Sequence, residues 1–161
     1  MEALMKNYIL KISINRTNIW RRIAIPQGFT FSQLHDVIQI IFGWENSHLH
    51  EFRYIDNLID REELSAEEYN KKMLIDESEV DLDLILMNEK RVTYLYDLGD
   101  SWELSIEVIN IVDGREYPRL LEYCGTMLMD NCGGVEGLKE CEEKPVNLEK
   151  LNIILKGTYA K

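Results

Sequence analysis

The segment YILKISINRTNIWRRIAIP, residues 8–26, decides the fold of this chain. Its first half alternates apolar and polar side chains, which is the period-two signature of a half-buried strand. The apolar face of this strand comprises Tyr8, Leu10, Ile12 and Ile14. Residues 15–18 have the composition of a turn, and residues 19–25 that of a second strand, which Pro26 ends. The segment therefore predicts an N-terminal β-hairpin.

A helical pattern follows the hairpin. Apolar residues recur at helical spacing over residues 31–42, with Thr30 in front of them as a candidate N-cap and Gly43 behind them as a stop. Shorter helices are predicted from a capping box at residues 65–68 and from apolar spacing near residues 80–87, 135–142 and 148–155. Asn147 is a suitable N-cap for the last of these helices.

The remaining segments have strand patterns. Further strands are predicted over residues 48–56, 92–96 and 102–112, and Asp113-Gly114 is a hairpin signal that leads into a strand near residues 117–124. These elements predict an α+β, roll-like fold with a mainly antiparallel sheet: the N-terminal hairpin, a helix and further strands, with helices packed on the sheet. We expect a single domain over residues 1–161, because no linker or internal repeat interrupts the pattern.

The composition is that of a globular cytoplasmic protein. The chain has 161 residues, of which 45% are hydrophobic and 29% charged. Its longest apolar run, residues 37–43, is far shorter than the roughly 20 residues of a membrane span. The N-terminus lacks the pattern of a signal peptide, so we expect a cytoplasmic location. An odd number of cysteines, Cys124, Cys132 and Cys141, favours reduced thiols.

The net charge of -11 disfavours binding to nucleic acid, which normally needs a basic face that neutralises phosphates. The charge is unevenly distributed, however. Residues 1–25 contain five basic side chains and only one acidic side chain, Glu2. Weak binding of nucleic acid by the N-terminal hairpin is therefore kept as an alternative.

Five short motifs occur in a fixed order along the chain. They are WRR at residues 20–22, LH at 34–35 running to GW at 43–44, HLHEF at 48–52, YDLGDSWE at 96–103 and CGG at 132–134. Together they resemble the Ri-plasmid ORF-three-like family, also labelled TnpR-like or transposon-passenger proteins. The resemblance extends from about residue 8 to about residue 155. It implies an α+β roll, often carried on plasmids or mobile elements, without an established biochemical role.

Two of these motifs carry side chains that could perform chemistry. His48 and His50 would share one face of a strand about 7 Å apart, which suits two metal ligands. Asp97 and Asp100, or Cys132, could complete a set for zinc or a similar ion, and the two carboxylates could instead act as an acid/base pair. The alternative is structural, with hydrogen-bonded histidines at strand ends and a simple Asp-Leu-Gly-Asp turn. We assign no metal and no cofactor from these patterns.

The tryptophans near these motifs have two interpretations. Trp44 and Trp102 could line a small-ligand cleft together with His48, His50 and Asp97. They could also be core aromatic residues, which is the common role of such side chains.

The adjacent residues Arg21 and Arg22 must point to opposite faces of their strand. The one that faces the interior needs partners inside the protein, and a carboxylate is the usual partner of a buried arginine. We therefore predict a structural clamp between Arg21 and Asp97 or Asp100.

Several signatures of enzymes are missing from the sequence. It contains no phosphate-binding glycine loop, no Gly-x-Ser-x-Gly elbow and no Cys-x-x-Cys pair. With the acidic charge, this favours a non-enzymatic binding or accessory protein, whose partner is another protein or a small ligand. The alternatives are a small metal-dependent or hydrolase-like enzyme centred on the His-Leu-His strand and the Asp-Leu-Gly-Asp turn, and weak nucleic-acid binding by the hairpin.

Overall fold

Six antiparallel strands and four helices form the part of the chain that a computed structural model describes, namely residues 5–54, 80–88 and 91–161. The strands are β1 (Met5–Ile14), β2 (Trp20–Pro26), β3 (His50–Tyr54), β4 (Arg91–Tyr96), β5 (Trp102–Gly114) and β6 (Arg119–Cys124). The helices are α1 (Phe31–Phe42), α2 (Leu82–Leu86), α3 (Gly134–Gly137), which continues as a 3-10 turn (Leu138–Glu140), and α4 (Leu148–Tyr159). The predicted α+β fold with a mainly antiparallel sheet is confirmed. The capping box at residues 65–68 lies outside the described residues.

The strand order in the sheet is β3-β4-β5-β1-β2-β6. The predicted N-terminal hairpin is present, because β1 pairs with β2 in antiparallel register. The hairpin predicted at Asp113-Gly114 is wrong: Gly114 lies opposite Met5 at the end of β1, and β6 pairs with β2 instead of with β5. The physical reason is that β4 and β1 already occupy both edges of β5. The free edge of β2 remains for β6.

One face of the sheet forms the hydrophobic core together with α1. The strand residues predicted to face inward are almost fully buried: Tyr8, Leu10, Ile12, Ile14, Trp102, Leu104, Ile106 and Val108. Both predicted ends of α1 are also present. Thr30 Oγ1 accepts a hydrogen bond from the Gln33 backbone N–H at 3.1 Å, and Gly43 ends the helix with a φ of 90°. Caps of this kind satisfy backbone groups that the helix leaves unpaired.

Helix α4 protects the edge of the sheet at β6. Its N-cap is Asn147, as predicted, whose side chain accepts a hydrogen bond from the Lys150 backbone N–H. The Asn152 carboxamide accepts a hydrogen bond from Leu120 N–H at 2.7 Å and donates one to Leu120 C=O at 2.9 Å. This side chain thus replaces a neighbouring strand at that point, which discourages pairing with another chain.

Among the described residues, no helix is both long enough and apolar enough to cross a bilayer.

Candidate functional site

Three chain segments meet at one end of the sheet, and we call this place the motif corner: residues 44–50, 97–102 and 130–134. The pairing of the strands brings them together, because Tyr96 lies opposite His50 on β3 and opposite Trp102 on β5. Residues 44–50 connect α1 to β3. Every residue of the predicted cleft therefore lies in or beside this corner, although the residues differ in what they contact.

His48 and Asp97 are neighbours in the motif corner. The Nε2 atom of His48 lies 3.5 Å from Asp97 Oδ2 and 3.1 Å from Asn131 Oδ1. The side chain of His48 is 27% exposed and that of Asp97 only 11%. This arrangement is a partly exposed imidazole with a largely buried carboxylate beside it, which can orient the ring.

The Asp-Leu-Gly-Asp segment forms the tight turn between β4 and β5. Asp97 has a φ of 63°, and its Oδ1 atom accepts hydrogen bonds from the Gly99 N–H at 3.0 Å and the Asp100 N–H at 3.3 Å. The second carboxylate, on Asp100, accepts a hydrogen bond from the Gly133 N–H at 3.1 Å. The two carboxylates therefore hold the turn and the neighbouring loop in place, in the manner expected of aspartates in turns.

His50 does not join His48 in a shared ligand set. Its ring stacks on that of His35, with the ring centroids 3.4 Å apart and an interplanar angle of 7°. His48 lies before β3 and points to Asn131, whereas His50 is the first residue of the strand. Within the described ranges, no group of three or more His, Cys, Asp or Glu side chains is arranged to hold a metal ion.

A buried polar network lies behind His50. His35 is 3% exposed; its Nδ1 atom lies 2.8 Å from Tyr94 Oη and its Nε2 atom 2.7 Å from Asn46 Oδ1. Gln39 donates to Tyr94 Oη and accepts from the Asn46 N–H. The only signal in the sequence is the presence of two polar residues, His35 and Gln39, on the apolar side of α1. The network fixes the chain where it leaves this helix.

The aromatic residues of the corner are packed against one another. Trp44 lies 5.4 Å from Trp102 and 4.8 Å from Tyr96, measured between ring centroids, and both tryptophans are at most 5% exposed. Tyr96 donates a hydrogen bond from its hydroxyl to Asp130 Oδ1 at 2.6 Å. Burial, followed by this hydrogen bond, raises the pKa of Tyr96 above its ordinary value. These aromatic rings support the corner from inside.

Arg21 is fully buried, but its predicted carboxylate partner is wrong. Its guanidinium donates hydrogen bonds to four backbone carbonyls, at 2.7–3.1 Å: those of Trp20, Ile41, Cys124 and Thr126. It also lies 4.7 Å from the ring centroid of Phe42. Because α1 and β6 both end beside Arg21, their terminal carbonyls are available as acceptors. Burial lowers the pKa of Arg21 to about 10.

Arg22 points to the other face of the sheet, as the strand geometry requires. Its Nη1 atom lies 2.9 Å from Glu122 Oε1 on β6, and both side chains are partly exposed. The two arginines thus have different roles: Arg21 joins three elements internally, and Arg22 forms a surface ion pair.

The loop that carries the CGG motif is closed by a disulfide bond between Cys132 and Cys141. The expectation of three reduced thiols is therefore wrong for two of them, and Cys124 remains free. An odd number of cysteines does not exclude a disulfide, because three cysteines can form one bonded pair and leave one free thiol. Gly134 has a φ of 66°, and a Cβ atom there would overlap the carbonyl oxygen of Asp100. A glycine is therefore needed where the loop meets the turn.

Two leucines project from the motif corner into solvent. Leu49 is 74% exposed and Leu98 is 70% exposed. The backbone segments that carry the two leucines are adjacent, because the N–H of Asp97 donates a hydrogen bond to the Leu49 carbonyl at 2.8 Å.

A family model for the plasmid pRiA4b ORF-3-like protein matches residues 6–149 of the chain. The chain belongs to the plasmid pRiA4b ORF-3-like family. It is 36% identical over 140 residues to the uncharacterized protein y4hQ of Sinorhizobium fredii, which covers 83% of this chain and 70% of that protein. The crystal structure of protein MM3350 of unknown function, from Methanosarcina mazei Go1, has a TM-score of 0.68 and 30% identity and covers 84% of this chain and 78% of that one. In this member of the pRiA4b ORF-3-like family, the HLHEF, YDLGDSWE and CGG motifs meet in the motif corner.

Proposed function

We propose that this protein is a non-enzymatic binding protein that docks a partner protein on the motif corner. The observation that carries the proposal is the exposure of Leu49 and Leu98, 74% and 70%, on segments that are joined by the hydrogen bond from the Asp97 N–H to the Leu49 carbonyl. Exposed aliphatic anchors of this size contribute binding energy when a partner covers them.

The construction of the corner supports a docking role. Side chains of the motif corner are held by polar contacts: His48 contacts Asp97 and Asn131, and Asp100 accepts a hydrogen bond from the Gly133 backbone N–H. A surface held in this way loses little conformational entropy when a partner binds, which favours affinity.

The charge of the corner indicates the chemistry of the partner. The nearby carboxylates are those of Glu45, Asp100, Glu103 and Asp130. None of them takes part in an ion pair with a lysine or arginine in the described part of the chain. With a net charge of -11, the protein would attract a basic segment electrostatically. We therefore expect the partner to present lysines or arginines around apolar anchors.

The probe for this proposal is a fluorescent peptide of about twelve residues that alternates lysine and leucine. A glutamate/leucine peptide of the same length is the control with opposite charge. The variant L49S/L98S should bind the lysine/leucine peptide about tenfold more weakly, since two anchors are lost. The matched control is L84S/I153S, which removes two apolar residues of similar exposure, 67% and 66%, elsewhere on the surface. Fluorescence anisotropy measures the affinity. Equal losses in both double variants, or equal binding of both peptides, would contradict docking at the corner.

One observation favours an enzyme as the second candidate. The imidazole of His48 is 27% exposed and contacts a carboxylate that is 11% exposed, an arrangement that suits a general base. Under this alternative, the protein would hydrolyse a chromogenic ester or phosphoester, and His48→Gln would abolish turnover. Turnover that His48→Gln does not change would remove this candidate.

The basic hairpin offers less support for nucleic-acid binding. Lys6 pairs with Asp113 at 2.9 Å, Arg16 with Glu136 at 3.5 Å and Arg22 with Glu122 at 2.9 Å. Arg21 is buried. Most of the positive charge of the hairpin is therefore engaged within the protein.

A further inference from the structure

The segment 130–141 is a closed loop that begins at the motif corner. Cys132 and Cys141 are bonded, with their Cα atoms 6.5 Å apart, a separation that a disulfide normally spans. Helix α3 and the 3-10 turn after it reverse the chain between the two cysteines. Gly137 makes this possible, because a Cβ atom there would overlap the carbonyl oxygen of Cys132.

The start of this loop contacts three elements of the corner. Asp130 accepts from the Tyr96 hydroxyl at 2.6 Å, Asn131 Oδ1 lies 3.1 Å from His48 Nε2, and the Gly133 N–H donates to Asp100 at 3.1 Å. Cys132 lies between these contacts in the chain. Whatever holds Cys132 in place therefore also holds the contacts to His48 and Asp100.

Both cysteines of the disulfide are partly accessible from solvent. Cys132 and Cys141 are each partly exposed, and Cys132 is flanked by the exposed Asn131 and Gly133. Cys141 also lines a cavity of about 170 Å³. Accessible disulfides are those that exchange with thiols in solution, whereas deeply buried ones are inert.

We infer that Cys132 and Cys141 form a thiol–disulfide exchange site that controls the order of the loop on the motif corner. The reactant is a small or protein dithiol. Its thiolate attacks one sulfur, the Cys132–Cys141 bond breaks, and the other sulfur leaves as a thiolate that takes up a proton. The second thiolate of the reductant then resolves the mixed disulfide, so that two electrons and two protons pass to the cysteine pair and the reductant becomes a disulfide.

The first experiment counts thiols on the full-length protein. Native protein, alkylated with iodoacetamide and analysed by intact mass spectrometry, should carry one label, on Cys124. After treatment with dithiothreitol it should carry three labels, and reoxidation with oxidised glutathione should restore one. The control variant Cys124→Ser should carry no label in its native state and two labels after treatment with dithiothreitol. Three labels that persist after oxidised glutathione would overturn the inference.

The second experiment measures the order of the loop by hydrogen exchange in both redox states. Reduction should speed the exchange of the Gly133 amide by about tenfold or more, because opening of the loop breaks its hydrogen bond to Asp100. Amides of the β1–β5 ladder should not change, which shows that the fold persists. The variant C132S/C141S should behave like the reduced protein under all conditions. Unchanged exchange at Gly133 on reduction would refute control of the loop. Neither readout uses the peptide probe, so this inference and the docking proposal fail independently.

Discussion

The two adjacent arginines of β2 provide the sharpest test of the structure. Arg21→Met keeps an unbranched apolar stem but removes the guanidinium and its four hydrogen bonds to the carbonyls of Trp20, Ile41, Cys124 and Thr126. Arg22→Met is the matched control, since it removes one exposed ion pair from the neighbouring residue on the opposite face of the sheet.

The expected loss of stability follows from these contacts. Hydrogen bonds from a charged donor contribute about 1.5 kcal/mol each at the lower end of their range, which gives roughly 6 kcal/mol for four. Part of this loss is offset, because the substitution also removes the unfavourable free energy of burying a charge. The lowered pKa of Arg21 shows that burial disfavours its cation. We expect Arg21→Met to lower the free energy of unfolding by about 3 kcal/mol, and Arg22→Met by less than about 1 kcal/mol.

Urea denaturation followed by circular dichroism measures both values by linear extrapolation. For a domain of this size, about 3 kcal/mol corresponds to a fall in Tm of roughly 10 °C. Arg21→Lys adds a further check, because an ammonium group cannot reproduce the planar fork of donors and should also destabilise the fold. Equal losses in the Arg21 and Arg22 variants would refute the assignment of Arg21 as an internal clamp.

Three further predictions concern the corner and the helix that leads to it. Since the pKa of Tyr96 is raised above its ordinary value of 10.0, its contribution to stability should be complete below about pH 10 and lost as the pH rises further; Tyr96→Phe should therefore flatten the alkaline fall in urea-unfolding free energy. Thr30→Ala should cost about 1 kcal/mol in the same assay through loss of the N-cap, whereas Thr30→Ser should restore the stability. Gly134→Ala, which places a Cβ atom against the Asp100 carbonyl oxygen at a positive φ, should cost more than about 2 kcal/mol; a thermal melt like that of wild type would contradict the close approach.

The secondary structure could be predicted where a local pattern was sufficient. The alternation in residues 8–14 predicted β1, and the alternation in residues 102–108 predicted β5, because a strand that buries one face needs an apolar residue at every second position. Helix α1 was predicted with both ends, since Thr30 and Gly43 satisfy backbone groups only a few residues away. The order of the family motifs along the chain could not show that they meet at one corner, because this follows from the pairing of β3, β4 and β5.

The pairing of β6 and the partners of the arginine clamp could not be predicted in this way. The sequence alone established that Arg21 and Arg22 point to opposite faces, because the side-chain direction in a strand alternates with every residue. Only the tertiary structure decided that β6 pairs with β2, since this depends on which strand edges the rest of the chain has already occupied. It also decided that Arg21 binds carbonyls of residues up to 105 positions away in place of an aspartate. Backbone acceptors are present at every residue, so no side-chain pattern records which of them a buried arginine will meet.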